Sequence, residues 1–186
     1  LSSSARPTFQ LFAKVSSDGG ATWSPARLVT SFRDPFSQAT QAADAFDNQR
    51  PHLSRVGDSL FLVWERRVGS QAPQIYVAEL SDSGTLQGEA DRITSAGAYC
   101  NNPIVVDYRG APVVFWFDNR RGQNRIYMAQ RDGLLWQDFD LSLSRLDATF
   151  ARPVVERDGL FVFWQAGAQA SARLFLLEPD RSAVPP

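Results

Sequence analysis

The sequence predicts an all-β fold made of repeated antiparallel sheets, and three observations support this prediction. The same strand pattern occurs three times, and each time an almost unbroken apolar run, LFLVW, PVVFW or LFVFW, ends at a tryptophan: Trp64, Trp116 and Trp164. Each repeat opens with a residue–proline pair, and the three prolines are 52 and 50 residues apart. No convincing helical period separates the strands. Three or four short strands recurring about every 40 to 50 residues are typical of β-propeller blades.

Each repeat contains the strands of one blade. A short extended run is followed by a Gly-containing turn, the apolar tryptophan strand, a polar loop and a third strand. Because the tryptophan runs are apolar at successive positions, we expect these strands to be covered on both faces. The N-terminal part matches only a third and a fourth strand. We therefore predict a β-propeller of four-stranded antiparallel blades, about three and a half of them, at residues 8–30, 50–94, 102–145 and 152–178.

The predicted propeller segment, residues 1–180, is an incomplete arc, and residues 181–186 resemble the start of a Pro-rich linker. The stretch 37–46 could form at most a short helix. An open arc would leave two apolar blade faces in water. We therefore expect the remaining propeller blades, or a second chain, to cover these faces.

Composition excludes several classes of function. The chain has 186 residues, of which 44% are hydrophobic and 21% charged, and its formal net charge is -1. This balance supports a buried core without disulfides and argues against a nucleic-acid partner. No apolar stretch is long enough to span a membrane. A single histidine, His52, and a single cysteine, Cys100, are too few for a His/Cys metal cluster, so we expect neither a metal nor a cofactor.

One turn carries a complete motif. Residues 16–23, SSDGGATW, match the pattern S/T-x-D-x-G-x-T-W/F at every specified position: Ser16, Asp18, Gly20, Thr22 and Trp23. Its glycines permit positive φ, its aspartate can accept backbone N–H groups, and its tryptophan can pack on the sheet. Weaker echoes occur in LSDSGTL, which keeps Asp82, and in QRDGLLW, which keeps Asp132.

This motif, together with the blade-length repeat, resembles the Asp box, or bacterial neuraminidase repeat, of the sialidase-like β-propellers. The resemblance covers nearly the whole chain. It implies that the box is a structural turn on the face opposite the catalytic pocket, and that the protein is secreted, periplasmic or on the cell surface. Sialidases of this family use an arginine triad for the substrate carboxylate, a tyrosine nucleophile activated by a glutamate, and an aspartate as acid/base.

The predicted strand order places two sets of loops on one face, beside the central channel. Pockets form where such loops converge. The residues delivered there are Arg50, Asn101, Asn102, Arg152, Glu65, Arg66, Arg67, Asp118, Asn119, Arg120 and Gln165. Guanidinium groups pair well with carboxylates, so an anionic sugar is a chemically sensible ligand. The predicted ligand-binding residues are Arg50, Arg152, Asn102, Arg120 and Arg67.

The resemblance also suggests catalytic candidates. Tyr99 would be the nucleophile and Glu65 its partner, while Asp34, Asp44 or Asp47 would supply the acid, with Asp47 preferred. The family's Arg-Ile-Pro signature is absent. Structural roles compete with each assignment. Arg50 and Arg152, at related positions before their strands, would bind carbonyls of a neighbouring blade, Tyr99 would pack, and DNRRG would be a turn capped by Asp118 and Asn119.

The favoured function is recognition of a glycan or a protein through the arginine-rich face. An exo-acting glycoside hydrolase of sialidase type, with part of its catalytic set outside this chain, is the alternative. A third possibility is a scaffold that organises neighbouring domains. For this chain alone, the sequence favours a protein that is not an enzyme.

Overall fold

A computed structural model describes residues 8–30, 46–133, 135–142, 146–157 and 159–167, and the backbone of residues 171–177. These residues form strands and no helix, so none of the described segments is a helix that could cross a membrane. The strands are β1 Phe12–Ala13, β2 Arg27–Leu28, β3 Phe46–Val56, β4 Ser59–Val68, β5 Gln74–Leu80, β6 Asp91–Arg92, β7 Cys100–Tyr108, β8 Ala111–Asp118, β9 Arg125–Asp132, β10 Leu135–Asp140, β11 Ala148–Glu156, β12 Gly159–Ala166 and β13 Ser171–Leu177. The predictions for Asp34, Asp44, residues 181–186 and nearly all of residues 37–46 lie outside the described residues.

Within each sheet, consecutive strands pair antiparallel. Strands β3 to β6 form sheet 1 and β7 to β10 form sheet 2, each with four strands, while β11 to β13 form sheet 3. Strands β1 and β2 form a separate pair, joined by the turn that contains the motif of residues 16–23. The predicted all-β architecture of four-stranded antiparallel sheets is therefore confirmed for sheets 1 and 2.

The three tryptophans occupy the same place in their sheets. Each is the sixth residue of the second strand, in β4, β8 and β12, and each is almost completely buried. In sheets 1 and 2, two-residue turns join the first strand to the tryptophan strand, and Arg109 and Gly110 both adopt positive φ in the turn of sheet 2. Positive φ at both central residues matches the twist of a tight hairpin, so the predicted Gly-containing turn fixes the strand register.

The sheets pack face to face, and successive residues of a tryptophan strand alternate between the two faces. Phe61 and Val63 of sheet 1 pack against Cys100 and Val105 of sheet 2. Apolar residues of sheet 2, such as Phe115, pack in the same way against sheet 3. The other face of sheet 1 covers the N-terminal pair. The first strands β3, β7 and β11 lie next to one another.

A bulge interrupts the first strand of each of the three sheets. Its position shows that the predicted equivalence of Arg50 and Arg152 is wrong. The bulges contain non-glycine residues with positive φ, namely Arg50, Asn102 and Phe150. Arg152 instead pairs with Phe163 as His52 pairs with Val63. Arg152 is therefore not equivalent to Arg50, contrary to expectation. The left-handed residue marks the bulge, and the residue after it need not be proline.

Two apolar faces lie exposed at opposite ends of the stack. On sheet 3, Phe163 is 39% exposed, whereas the equivalent Val63 and Phe115 are completely buried under the following sheet. On the N-terminal pair, Phe12 and Leu28 are exposed. Both ends therefore present apolar surface of the kind that is covered inside the stack.

Candidate functional site

A polar pocket of about 230 Å³ lies where sheet 1 meets the start of sheet 2. Strand β3 begins here and strand β4 ends here, so side chains from both strands converge with residues that precede or begin β7. The lining residues are Asp47, Gln49, Arg50, Glu65, Arg67, Pro73, Tyr99 and Asn101. The structure thus brings together all three residues of the predicted catalytic set and two of the predicted ligand-binding arginines.

Asp47 is buried and held by several donors. The Phe9 N–H donates to Oδ1 at 3.0 Å, the Gln49 amide donates to both oxygens, and Arg67 forms an ion pair with Oδ2 at 2.6 Å. Burial alone would raise the pKa of Asp47. The hydrogen bonds from Phe9, Gln49 and Arg67 outweigh burial and hold its pKa below the usual range. Asp47 is therefore a fixed anion.

Glu65 is buried as well, but its pKa moves in the opposite direction. Its Oε1 accepts the Asn102 N–H at 2.7 Å, and its Oε2 pairs with Arg50 at 2.6 Å. Burial raises the pKa of Glu65 above its usual range, and the nearby Asp47 contributes to the increase, although the two hydrogen bonds oppose it. Glu65 therefore connects the two sheets through the backbone of Asn102.

Tyr99 and Asn101 form the outer wall of the pocket. The Tyr99 side chain is exposed, while its N–H donates to the Asn119 side chain at 2.9 Å. The Asn101 amide donates to the Tyr99 carbonyl. Among the described residues, the Tyr99 hydroxyl makes no hydrogen bond to Glu65. The ring therefore forms a rim rather than half of a hydrogen-bonded tyrosine–glutamate pair.

Asn102 reaches the site through its backbone, and Arg120 does not line the pocket. Arg120 binds Asp118, which is completely buried, and also pairs with Asp138. Its guanidinium carbon lies 4.0 Å from the centre of the Tyr127 ring. Asp118 further accepts the Trp116 indole N–H at 2.8 Å. These contacts bind Arg120 tightly to its own sheet.

Arg152 lies in a separate hollow of about 420 Å³ on sheet 3. Its neighbours there are Phe150, Phe163, Trp164 and Gln165. The guanidinium donates to the Ala151 carbonyl at 2.9 Å. The structure therefore does not join Arg152 to Arg50 in one carboxylate-binding group.

The turn of residues 16–23 is held by its own side chains. Asp18 accepts both the N–H and the hydroxyl of Thr22, at 2.9 and 2.6 Å, and the Ser16 hydroxyl binds Asp18 and the Gly20 N–H. The Trp23 indole donates to the Gly20 carbonyl at 3.1 Å. Hydrogen bonds from Thr22, and then from Ser16, lower the pKa of Asp18 to about 2.

The weaker copy of this turn works differently. Asp82 is almost fully exposed, and its ion pair with Arg55 spans 3.5 Å. The hydrogen bonds of this turn come instead from Ser81, Ser83 and Thr85. Asp82 therefore does not take the place of Asp18, because the serine hydroxyls already satisfy the turn.

The remaining reactive side chains support packing. Burial raises the pKa of the Cys100 thiol to about 12, so the thiolate is disfavoured. His52 accepts the Val105 N–H at 3.3 Å through Nδ1, and burial, followed by Arg152, lowers its pKa. Within the described residues, no group of three or more His, Cys, Asp and Glu side chains could hold a metal ion.

One polar residue of the pocket was not predicted from the sequence, and one residue expected there lies elsewhere. Gln49 lines the pocket and orients Asp47, and the period-two alternation of a strand could have identified it, because residues two apart share a face. Arg66 was expected at the rim. Its guanidinium instead lies 4.5 Å from the Tyr76 ring centre and 4.5 Å from that of Phe46.

Comparisons with known proteins support the fold but not a family. No family model matches the chain, and no curated protein matches its sequence. The crystal structure of an endo-arabinase from Bacteroides thetaiotaomicron VPI-5482 is similar, with a TM-score of 0.53 and 16% sequence identity. The similarity covers 89% of this chain and 68% of the endo-arabinase chain. At this identity, the likeness shows a shared fold alone.

Proposed function

We propose that the stacked sheets are blades of a sialidase-like β-propeller. Three features support this proposal: the repeated position of the buried tryptophans, the contact between successive first strands, and the hydrogen-bonded turn of residues 16–23. The same family resemblance is our reason for proposing an exported or cell-envelope protein. Fractionation of the native host, followed by immunodetection, tests that location.

We propose further that another blade covers sheet 3. The supporting observation is that Phe163 lies exposed where Val63 and Phe115 are buried under the next sheet. If a second copy supplies that blade, light scattering will give a dimer of the chain, and Phe163→Asp will give a monomer. If light scattering shows a monomer, a second copy of the chain does not cover Phe163.

We propose that the protein recognises a glycan in the pocket of about 230 Å³ described above. The observation that carries this proposal is the lining: two arginines, two carboxylates, two amides and an exposed tyrosine converge in one hollow. Sugar hydroxyls both donate and accept hydrogen bonds, and a tyrosine ring offers a flat face for stacking. The carbohydrate-related neighbour, an endo-arabinase, adds support from the fold.

Recognition suits the geometry better than the sialidase-type mechanism. Such a mechanism needs a tyrosine activated by a glutamate. Here Glu65 is engaged by Arg50 and by the Asn102 N–H, and Tyr99 lies exposed at the rim. Glu65 is therefore bound by Arg50 and by the Asn102 N–H, and not by the tyrosine that the mechanism requires.

Binding to a glycan array, followed by calorimetry with the best ligand, tests the proposal. Arg50→Ala should weaken binding at least about tenfold, as expected for the loss of a charge-assisted contact. Arg55→Ala is the matched control, because Arg55 lies at the other end of β3, away from the pocket, and contacts the exposed Asp82 and the Asp58 carbonyl. If no glycan binds, or if the two variants weaken binding equally, the proposed function is wrong.

A glycoside hydrolase is the second candidate, and one observation favours it. Buried Glu65 has a raised pKa and lies close enough to Asp47 to be affected by its charge. Glycosidases use a pair of carboxylic acids, one of which has a raised pKa. Assays for new reducing ends with arabinan and with fluorogenic glycosides test this candidate. Turnover that is lost in Glu65→Gln would establish it in place of recognition.

A further inference from the structure

We infer that the pocket selects a neutral sugar and disfavours one that carries a carboxylate. This inference rests on the proposed glycan-recognition function and specifies its ligand class. It departs from the expectation that arginines on this face would clamp an anionic sugar. The deciding feature is the charge arrangement inside the pocket.

Each arginine of the lining already has a carboxylate partner. Arg50 pairs with Glu65, and Arg67 pairs with Asp47, both at 2.6 Å. Both carboxylates are almost fully buried, and backbone hydrogen bonds from Phe9 to Asp47 and from Asn102 to Glu65 hold them beside their arginines. The described lining therefore carries two positive and two negative charges, and its formal charge is zero.

A third carboxylate would meet an unfavourable environment here. It would approach arginines that are already neutralised and would lie beside two fixed anions. Like charges placed together weaken binding, and repulsion between partly buried charges is less screened than on an open surface. An ionised carboxylate on the ligand only accepts hydrogen bonds, so it cannot form one with Asp47 or Glu65.

A neutral sugar meets a complementary environment. Its hydroxyl groups can accept from the N–H groups of Arg50 and Arg67 that do not bind the carboxylates, because both guanidinium groups are more exposed than their buried partners. The side-chain amides of Gln49 and Asn101 can both donate and accept. The exposed Tyr99 ring can contact the apolar face of a sugar ring. All these groups converge on one hollow.

Matched sugars that differ in charge test the inference by calorimetry. Lactose is compared with sialyllactose, and galacto-oligosaccharides are compared with oligogalacturonates. We expect the neutral member of each pair to bind at least about tenfold more tightly, with an affinity that changes little between about 50 and 500 mM NaCl.

A change of pocket charge should shift this preference. Glu65→Gln leaves the lining with one excess positive charge, so the preference should move toward the carboxylated sugar by roughly fivefold, which corresponds to about 1 kcal/mol. Asp47→Asn makes the same change at the second ion pair and is the alternative if the first variant does not fold. Asp82→Asn changes the same charge on an exposed distant turn, and the preference should stay unchanged.

The outcomes separate the inference from the proposal on which it rests. Tighter, salt-sensitive binding of sialyllactose or oligogalacturonate would overturn the inference but leave glycan recognition intact. A preference that does not move in Glu65→Gln or Asp47→Asn would overturn it as well. If neither these sugars nor any neutral or carboxylated sugar on the glycan array binds, the proposed function has failed.

Discussion

The two junctions between the sheets use the same positions in different ways. Glu65 and Phe117 are equivalent, since each follows its tryptophan directly, and each reaches the bulge of the next sheet. Glu65 accepts the Asn102 N–H, whereas the Phe117 ring packs edge-on against Phe150 at 5.7 Å between centroids. The first junction is therefore polar and borders the pocket, and the second is held by an aromatic contact.

This difference separates fold from function. The second junction shows that the repeat packs well with a ring at this position, so the fold does not require an acid there. By contrast, the buried tryptophans of sheets 1 and 2 both donate their indole N–H to a buried side-chain oxygen, Trp64 to Asn48 and Trp116 to Asp118. Features common to both sheets serve the fold, and the charged group of the first junction is a local specialisation.

The aromatic junction should be the more sensitive to deletion. Phe117→Ala removes a buried ring and its contact with Phe150, so the free energy of unfolding should fall by about 3 kcal/mol. Urea unfolding measures this loss. Phe139→Ala, at an exposed position, should change the free energy of unfolding by less than about 0.5 kcal/mol.

The polar junction should tolerate deletion better. Glu65→Ala leaves the Asn102 N–H without its acceptor, while the half-exposed Arg50 can turn toward water. We expect the free energy of unfolding to fall by about 1 to 2 kcal/mol in the same urea experiment. A loss equal to that of Phe117→Ala would show that Glu65 is a structural element, and the comparison would fail.

The pH dependence of stability distinguishes the two acids of the pocket. The folded-state pKa of Glu65 lies above its ordinary value of 4.5, so the folded chain binds more protons than the unfolded chain just above that pH. Stability contributed by this group therefore falls as pH rises across that window. Relative to the wild type, Glu65→Gln should gain stability as pH rises from 4.5.

Asp47 provides a control with the opposite sign. Its folded-state pKa lies below the ordinary 3.8, so it contributes stability above that pH and loses it as pH falls through the folded value. Asp47→Asn should therefore lose stability relative to the wild type at neutral pH and less at low pH. Equal pH profiles for the two variants would contradict the assigned shifts.

The smallest effect is expected at the turn far from both junctions. Asp18→Ala removes the acceptor of the Thr22 N–H, so hydrogen exchange of that amide should become faster. Asp82→Ala at the weaker copy should leave exchange in its own turn unchanged, because Ser81 and Thr85 hold that turn. Faster exchange in both variants would show that Asp82 stabilises its turn as Asp18 does.

The sequence predicts the sheets and much of the pocket for physical reasons. Runs that are apolar on both faces identify the buried strands, and the strand order places Arg50, Glu65 and Arg67 at the same edge. The register at the third bulge could not be predicted, since a phenylalanine with positive φ leaves no pattern that marks it. Nor does charge alone reveal pairing: Arg120 was expected in the pocket, but a buried aspartate two residues away binds it elsewhere.

The bulges hold residues other than glycine in an unfavourable backbone conformation. Arg50, Asn102 and Phe150 have φ values of 50°, 53° and 57°, and this conformation costs roughly 1 kcal/mol for a residue with a Cβ atom. Glycine would remove that cost but would supply no side chain. The three bulges therefore place a cation, an amide and an aromatic ring on the same left-handed backbone geometry. We expect an exchange of side chains at these positions to leave the bulge intact and to change the chemistry of the junction beside it.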